Sequence, residues 1–122
     1  MPRGPKRRRL SRSAEFERVY RQGRSKGNRF LVLYAFPRSV ADPGEPRLGL
    51  SVSRRIGGAV ERTQVKRALR EAFWEQAQRL PQDSDYVVVA RPPLRALLER
   101  EGTAGVSAAL AELADGLGAE AV

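Results

Sequence analysis

The chain has 122 residues, with 23 lysines and arginines against 14 aspartates and glutamates, and it contains neither histidine nor cysteine. This length predicts one domain that buries roughly two-thirds of its unfolded surface. The two missing residue types exclude disulfides, histidine or cysteine metal sites, thiol nucleophiles and Ser-His triads.

The positive charge is concentrated in one part of the chain. Residues 1–79 have a net charge of +13, whereas residues 80–122 have one of −4. A basic region of this kind is typical of nucleic-acid-binding proteins, and an anionic membrane surface is the other common partner. Because no segment has the length and hydrophobicity of a membrane span or a signal peptide, we expect a cytoplasmic protein without a membrane partner.

The N-terminal segment combines a basic block with a short helical pattern. Residues 1–12 contain six lysines and arginines and no acid, which predicts a disordered tail ahead of a single domain over residues 13–122. The tail either orders on a polyanion or stays solvated. Ser13 can cap a helix that places Phe16 and Tyr20 on one face. From this spacing alone, the two aromatics fit core packing.

Three segments have the composition of β-strands, and the loop over residues 37–46 separates the first two, which we expect to form a hairpin. The second segment alternates: Leu48, Leu50 and Val52 point to one side, and Gly49, Ser51 and Ser53 to the other. The small polar side leaves room for an extended ligand, although a solvated outer sheet face explains the pattern equally well. The predicted strands are Phe30–Phe36, Arg47–Ser53 and Asp85–Arg91.

The longest periodic segment, Val60–Leu80, predicts a helix with three distinct sides. Its apolar stripe consists of Val65, Ala68, Leu69, Ala72, Phe73 and Leu80. At about 100° per residue, the bases Arg62, Lys66, Arg70 and Arg67 fall on one flank of this stripe, and Glu61, Glu71 and Glu75 fall on the other. Segregated charges favour an anion along the basic flank, because a solvated helix usually mixes its charges for pairing. We interpret Trp74 as a semi-exposed aromatic rather than a stacking platform.

The C-terminal part predicts two further helical pieces, Leu94–Glu101 and Val106–Leu117, with Gly116 and Gly118 closing the second. The order of elements is therefore helix, strand, strand, helix, strand, helix. This order predicts one α+β domain.

Three sequence blocks, in this order, resemble the protein subunit of bacterial ribonuclease P over about residues 7–117. The first runs from Leu10 to Tyr34 and includes Phe16, Tyr20 and Asn28-Arg29. The second, the most specific, is Leu48-Gly49-Leu50-Ser51-Val52-Ser53-Arg54-Arg55-Ile56-Gly57, followed by Arg62, Lys66-Arg67 and Arg70-Glu71-Ala72-Phe73. The third is Asp85-Tyr86-Val87-Val88-Val89-Ala90-Arg91.

The resemblance implies a small α/β sandwich: a four-stranded sheet with an N-terminal helix, a C-terminal helix, and a basic-motif helix in a left-handed crossover between parallel strands. It implies a non-catalytic subunit of a ribonucleoprotein endonuclease that removes the 5′ leader from precursor tRNA. The partners implied are ribonuclease P RNA and precursor tRNA, with no obligate protein partner. The RNA is expected to hold the Mg²⁺ ions of catalysis.

Two surfaces follow from the resemblance. In the family, a cleft between the first helix and the sheet takes the leader strand; here its lining would be Phe16, Tyr20, Ser51, Ser53, Arg54 and Arg91. A second surface would face the catalytic RNA and consist of Arg55, Arg62, Lys66, Arg67 and Arg70.

The chain departs from the family inside the basic motif. Where the family usually has Arg-Asn-Arg, this sequence has Arg62-Thr63-Gln64, so only the first arginine is retained. Pro92 replaces a residue that is often basic in relatives, which thins the positive lining of the cleft.

Two other functions compete with this hypothesis. A ribosomal-type scaffold protein would bind folded RNA without gaining affinity from a 5′ extension. A protein-only nuclease would hold Mg²⁺ with paired carboxylates, and the basic part of the sequence offers none outside the helix start at Glu15 and Glu17.

Overall fold

The structure, a computed structural model, describes residues 24–37, 46–82 and 84–120. The predicted basic tail, the helix beginning at Ser13, and the aromatics Phe16 and Tyr20 lie outside these residues. The described elements are β1 Arg24–Gly27, β2 Leu31–Pro37, β3 Leu48–Ser51, α1 Ala59–Gln76, a 3-10 turn Ala77–Arg79, β4 Ser84–Ala90 and α2 Pro93–Glu120.

The described strands form one mixed sheet in the order β1-β2-β4-β3. Strand β2 pairs antiparallel with β1 and β4, whereas β3 and β4 are parallel and are connected through α1. The α+β fold and the four-stranded sheet are thus confirmed, and the hand of the crossover stays a prediction. The expected hairpin between β2 and β3 is wrong, because β4 lies between them. The valine-rich β4 takes an interior position, as strongly apolar strands do.

Strand β1 is the element that the sequence pattern did not predict. Its four residues, Arg-Ser-Lys-Gly, include no aromatic or branched side chain, and β-propensity therefore gives no indication of a strand. It lies at the sheet edge, where short charged strands are common because they discourage further pairing. The true hairpin is β1–β2, and it turns at Asn28.

Helix α1 packs the predicted apolar stripe against the sheet. At its start, the backbone N–H of Gly58 donates to Glu61 Oε1 at 2.9 Å. This side chain supplies the acceptor that the helix backbone does not offer to its first N–H groups. Leu80 follows the helix and is buried as well. The stripe residues Val65, Ala68, Leu69, Ala72 and Phe73 are all buried, which confirms the helical period.

Helix α2 is interrupted at Gly102, whose φ of 70° and ψ of −167° leave the helical region. A positive φ favours glycine, so the residue separates the two helical pieces predicted from the sequence. The prediction that Gly116 and Gly118 close the second piece is wrong, since α2 continues to Glu120. Burial of Leu113 and Leu117 in the core outweighs the lower helix propensity of glycine.

A buried ion pair joins the beginnings of the parallel strands β3 and β4. The carboxylate of Asp85 is fully buried and accepts hydrogen bonds from Arg47 Nε at 3.1 Å and Nη2 at 2.5 Å. The backbone N–H of Arg47 donates to the same carboxylate at 3.3 Å. This arrangement fixes the register in which Leu48 lies opposite Tyr86.

Candidate nucleic-acid interface

Both helices pack on one side of the sheet, and the opposite side, here called the second face, has a different composition. Tyr34 of β2 lies opposite Val87 of β4, and Val87 lies opposite Gly49 of β3. In the next row Ser51 is the outermost residue, beside Val89. The half-buried Tyr34, Phe36 and Val89 around the buried Val87 make a shelf with two aromatic rings, beside the small residues of β3.

An arginine concavity of about 500 Å³ opens where β3 and β4 end. Three arginines from three separate segments line it, together with two serine residues and a proline pair. Guanidinium groups that converge in this way are suited to phosphate oxygens, to which they can donate two hydrogen bonds at once. The lining consists of Arg29, Ser51, Ser53, Arg55, Val89, Ala90, Arg91, Pro92 and Pro93.

The structure distributes the predicted cleft residues unevenly. Ser51, Ser53 and Arg91 come together in the arginine concavity, whereas Arg54 does not line it. Arg55, which we expected on the surface toward the catalytic RNA, lies in the wall of the concavity. Its backbone N–H donates to Ser53 Oγ at 3.3 Å, a hydrogen bond within the loop that connects β3 to α1.

The loop between β3 and α1 is held from α2. Arg95 of α2 donates from Nη1 to the carbonyl oxygen of Ile56 at 3.2 Å. Gly57 has a φ of 155°, and a side chain there would meet Arg95 Nη1 at 2.8 Å. Only glycine fits this position comfortably, because both its backbone conformation and its neighbours exclude a Cβ.

The basic flank of α1, defined as Arg62, Lys66, Arg67 and Arg70, is separated from α2 by the acidic flank. Ser107 of α2 donates to Glu75 Oε1 at 2.6 Å, and Arg95 lies 3.9 Å from Glu61. By contrast, Lys66, Arg67 and Arg70 make no hydrogen bond or ion pair with the residues that the structure describes. Their charge is therefore available to an external anion.

Comparisons with known proteins identify the family. The sequence profile described as Ribonuclease P matches residues 5–114. The ribonuclease P protein component of Bacillus pumilus is 44% identical over 96 residues, which cover 79% of this chain and 79% of that protein. That of Shouchella clausii is 46% identical over 96 residues, covering 79% and 77%.

This chain belongs to the ribonuclease P protein family. Among solved structures, the RNase P protein from Thermotoga maritima matches with a TM-score of 0.77 and 29% identity over 90% of this chain and 97% of that one. The Staphylococcus aureus RNase P protein matches with a TM-score of 0.72 and 32% identity over 88% and 93%. Membership makes the chain an RNA-binding component of ribonuclease P, with a role in tRNA processing and ribonuclease P RNA as its partner.

The pair Thr63-Gln64 adjoins the basic flank: Thr63 lies one helical turn before Arg67, and Gln64 lies on the next side of α1. Both residues are exposed, and they line a groove of about 680 Å³ between α1 and α2. Arg67 lines this groove too, so it stands at the border between the basic flank and α2. Two neutral side chains therefore lie between the basic flank of α1 and the groove toward α2.

Two aromatic residues of this ribonuclease P protein have distinct settings. Trp74 is half-buried, packs against the core and meets the Phe73 ring edge-on at 4.9 Å, in agreement with its interpretation as a semi-exposed aromatic. Tyr34 was missed as a candidate site residue. The alternation of buried Leu31, Leu33 and Ala35 with half-buried neighbours could have placed it on the second face.

Within residues 24–37, 46–82 and 84–120, no three acidic side chains lie close enough together to hold a metal ion. No helix in the described part of the chain has the length and hydrophobicity needed to span a membrane.

Proposed function

We propose that this ribonuclease P protein binds the single-stranded 5′ leader of precursor tRNA along the second face and in the arginine concavity. The observation that supports this function is the position of Arg29, Arg55 and Arg91 around Ser51 and Ser53. A backbone can approach small serines closely, and guanidinium groups from separate segments can follow successive phosphates.

The shelf beside the concavity supplies a surface for bases. Tyr34 presents a half-buried ring on this shelf, with the half-buried ring of Phe36 on the same face. Stacking on an aromatic ring tolerates any base and contributes about 1–3 kcal/mol per base. Phe16 and Tyr20, named from the family resemblance, are proposed to complete this leader cleft.

A second contact is proposed along the basic flank of α1, toward ribonuclease P RNA. The support is the segregation of charge: the acidic flank is engaged by α2, and Lys66, Arg67 and Arg70 have no partner among the described residues. Arg62 adds a fourth positive charge near the helix start, where its Nε lies 3.4 Å from the carbonyl oxygen of Gly58.

We assign the chemistry to the RNA rather than to this chain. Mg²⁺ held mainly by the RNA would activate water and stabilise the leaving oxygen. The absence of histidine and cysteine from the whole sequence fits this division, since the protein then supplies binding and orientation only. The chain would act in the cytoplasm.

Cleavage of precursor tRNA at low Mg²⁺ tests this function. Ribonuclease P RNA is assayed with and without the chain, and the chain alone serves as the control. We expect the complex to cleave faster than the RNA, and the protein alone to cleave nothing. Failure to stimulate the RNA, or cleavage by the protein alone, would contradict the proposal.

Tyr34→Ala is expected to weaken binding of leader-bearing tRNA by about tenfold, since one stacked base contributes about 1–3 kcal/mol. Affinity for mature tRNA should barely change, because it has no leader to stack. Tyr34→Phe retains the ring and is the matched control, with near-normal affinity expected. Equal losses on both tRNAs would indicate that the ring supports the fold rather than the leader.

A further inference from the structure

The turn between β1 and β2 is connected to α2 through the side chain of Asn28. Its amide Nδ2 donates to the carbonyl oxygen of Ala109 at 3.0 Å and to Glu112 Oε1 at 3.1 Å. Its Oδ1 accepts the backbone N–H groups of Phe30 and Leu31, each at 3.0 Å. The polar atoms of this half-buried side chain are thus all engaged, and the turn is fixed to α2.

The backbone of the same residue holds Arg91. The carbonyl oxygen of Asn28 accepts a hydrogen bond from Arg91 Nη1 at 2.7 Å. The Arg91 main chain is fixed as well. Its N–H donates to the carbonyl oxygen of Phe30 at 2.9 Å, and its carbonyl oxygen accepts the backbone N–H of Leu94 at 2.8 Å. Arg91 is therefore held at both ends while it remains exposed in the wall of the arginine concavity.

We propose that Asn28 is a positioning residue that orients the Arg91 guanidinium for a phosphate of the precursor tRNA leader. This inference rests on the proposed function of the arginine concavity. Asn28 is not part of the concavity lining, so its effect on the ligand passes through Arg91. One guanidinium donor is bound to Asn28, and the others have no acceptor among the described residues.

The physical advantage is preorganisation. A free arginine side chain loses rotamer freedom when it binds, and a side chain already held in one orientation loses less. Helix α2 supplies that orientation at a distance, through Ala109, Glu112 and the Asn28 turn. The C-terminal helix thereby influences leader binding without contacting the leader.

The test measures the ratio of affinities for leader-bearing and mature tRNA, with the full chain assembled on ribonuclease P RNA. Asn28→Ala is expected to lower this ratio about three- to tenfold, the scale of one immobilised side chain. In an Arg91→Ala background the same change should cause no further loss, because the group it positions is gone.

A charge swap supplies a partial rescue. Asn28→Asp keeps the acceptor for Phe30 and Leu31 but cannot donate to Glu112 or to the carbonyl oxygen of Ala109, so the ratio should fall. Adding Glu112→Gln provides an amide donor to the new carboxylate, and the ratio should recover in part, because the hydrogen bond to Ala109 stays lost. Ser107→Ala is the matched structural control, since it removes contacts between α1 and α2 away from Asn28. It should lower the melting temperature and leave the ratio unchanged.

Arg91→Ala tests the leader site, and Asn28→Ala tests the positioning role. An unchanged ratio for Arg91→Ala would overturn the proposed leader site itself. A lowered ratio for Arg91→Ala together with an unchanged ratio for Asn28→Ala would overturn only the positioning role. Additive losses in the double variant, or a ratio that falls with the melting temperature in Ser107→Ala, would also overturn that role.

Discussion

Replacing Asp85 with alanine is expected to lower the free energy of unfolding by about 3–5 kcal/mol, the usual result of removing one partner from a buried ion pair. The Asp85 side chain is 0% exposed and the Arg47 side chain 13% exposed, so water cannot replace the lost contacts well. The midpoint of urea unfolding, followed at unchanged m-value, measures the loss.

Two comparisons show whether burial causes this effect. The exposed pair Arg79–Asp115 has side chains 49% and 58% exposed, and Asp115→Ala should lower the free energy of unfolding by only about 0–1 kcal/mol. The double variant Arg47→Met with Asp85→Leu should recover most of the stability, because it leaves no isolated charge. If Asp85→Ala lowers the free energy of unfolding as little as Asp115→Ala does, burial of the ion pair does not cause the effect.

The ion pair also matters for the candidate site, because it lies at the opposite end of the strands that bear the arginine concavity. Strands β3 and β4 begin at Leu48 and Ser84, and their other ends present Ser51 and Arg91 to the concavity. Two paired strands shift along their whole length when their register changes. A slip where β3 and β4 begin would therefore displace Ser51 and Ser53 relative to Arg91 at the other end.

Much of the helical structure could be predicted because its determinants are local. The apolar stripe of α1 repeats at the helical period, and burial of Val65, Leu69 and Phe73 follows directly. The break at Gly102 falls between the two pieces predicted for the C-terminal part. Alternation in β3 likewise placed Gly49 and Ser51 on the same sheet face.

The order of the strands could not be predicted in this way, since it depends on contacts between distant segments. Nothing within β2 or β3 indicates that β4 lies between them. Strand β1 has almost no strand propensity, and its pairing with β2 is fixed partly by Asn28, whose partners lie 81 and 84 residues away. The same nonlocal origin explains why Arg55 joins Arg91 in the concavity.

Changing all four basic residues of the α1 flank to glutamine is expected to weaken binding to ribonuclease P RNA by a factor on the order of 10²–10³ at physiological salt. Each lost phosphate contact lowers the slope of log K against log salt by about 0.7–0.9. The flank comprises Arg62, Lys66, Arg67 and Arg70, so the slope should fall by about 3 if all four contact phosphate. Glutamine has a helix propensity close to that of the residues it replaces, so α1 should persist.

A matched pair of double variants separates a placed surface from net charge. The first double variant combines Lys66→Gln and Arg70→Gln, and the second combines Arg79→Gln and Arg100→Gln. Each removes two positive charges from a chain of formal net charge +9. Arg79 and Arg100 are exposed but already paired with acids, at 2.7 Å from Asp115 and 3.6 Å from Glu101. Only the first pair should lower the salt slope, by about 1.4–1.8. An equal fall for both pairs would mean that the RNA responds to the overall charge of the protein, and that the segregation of charge on α1 has no part in binding.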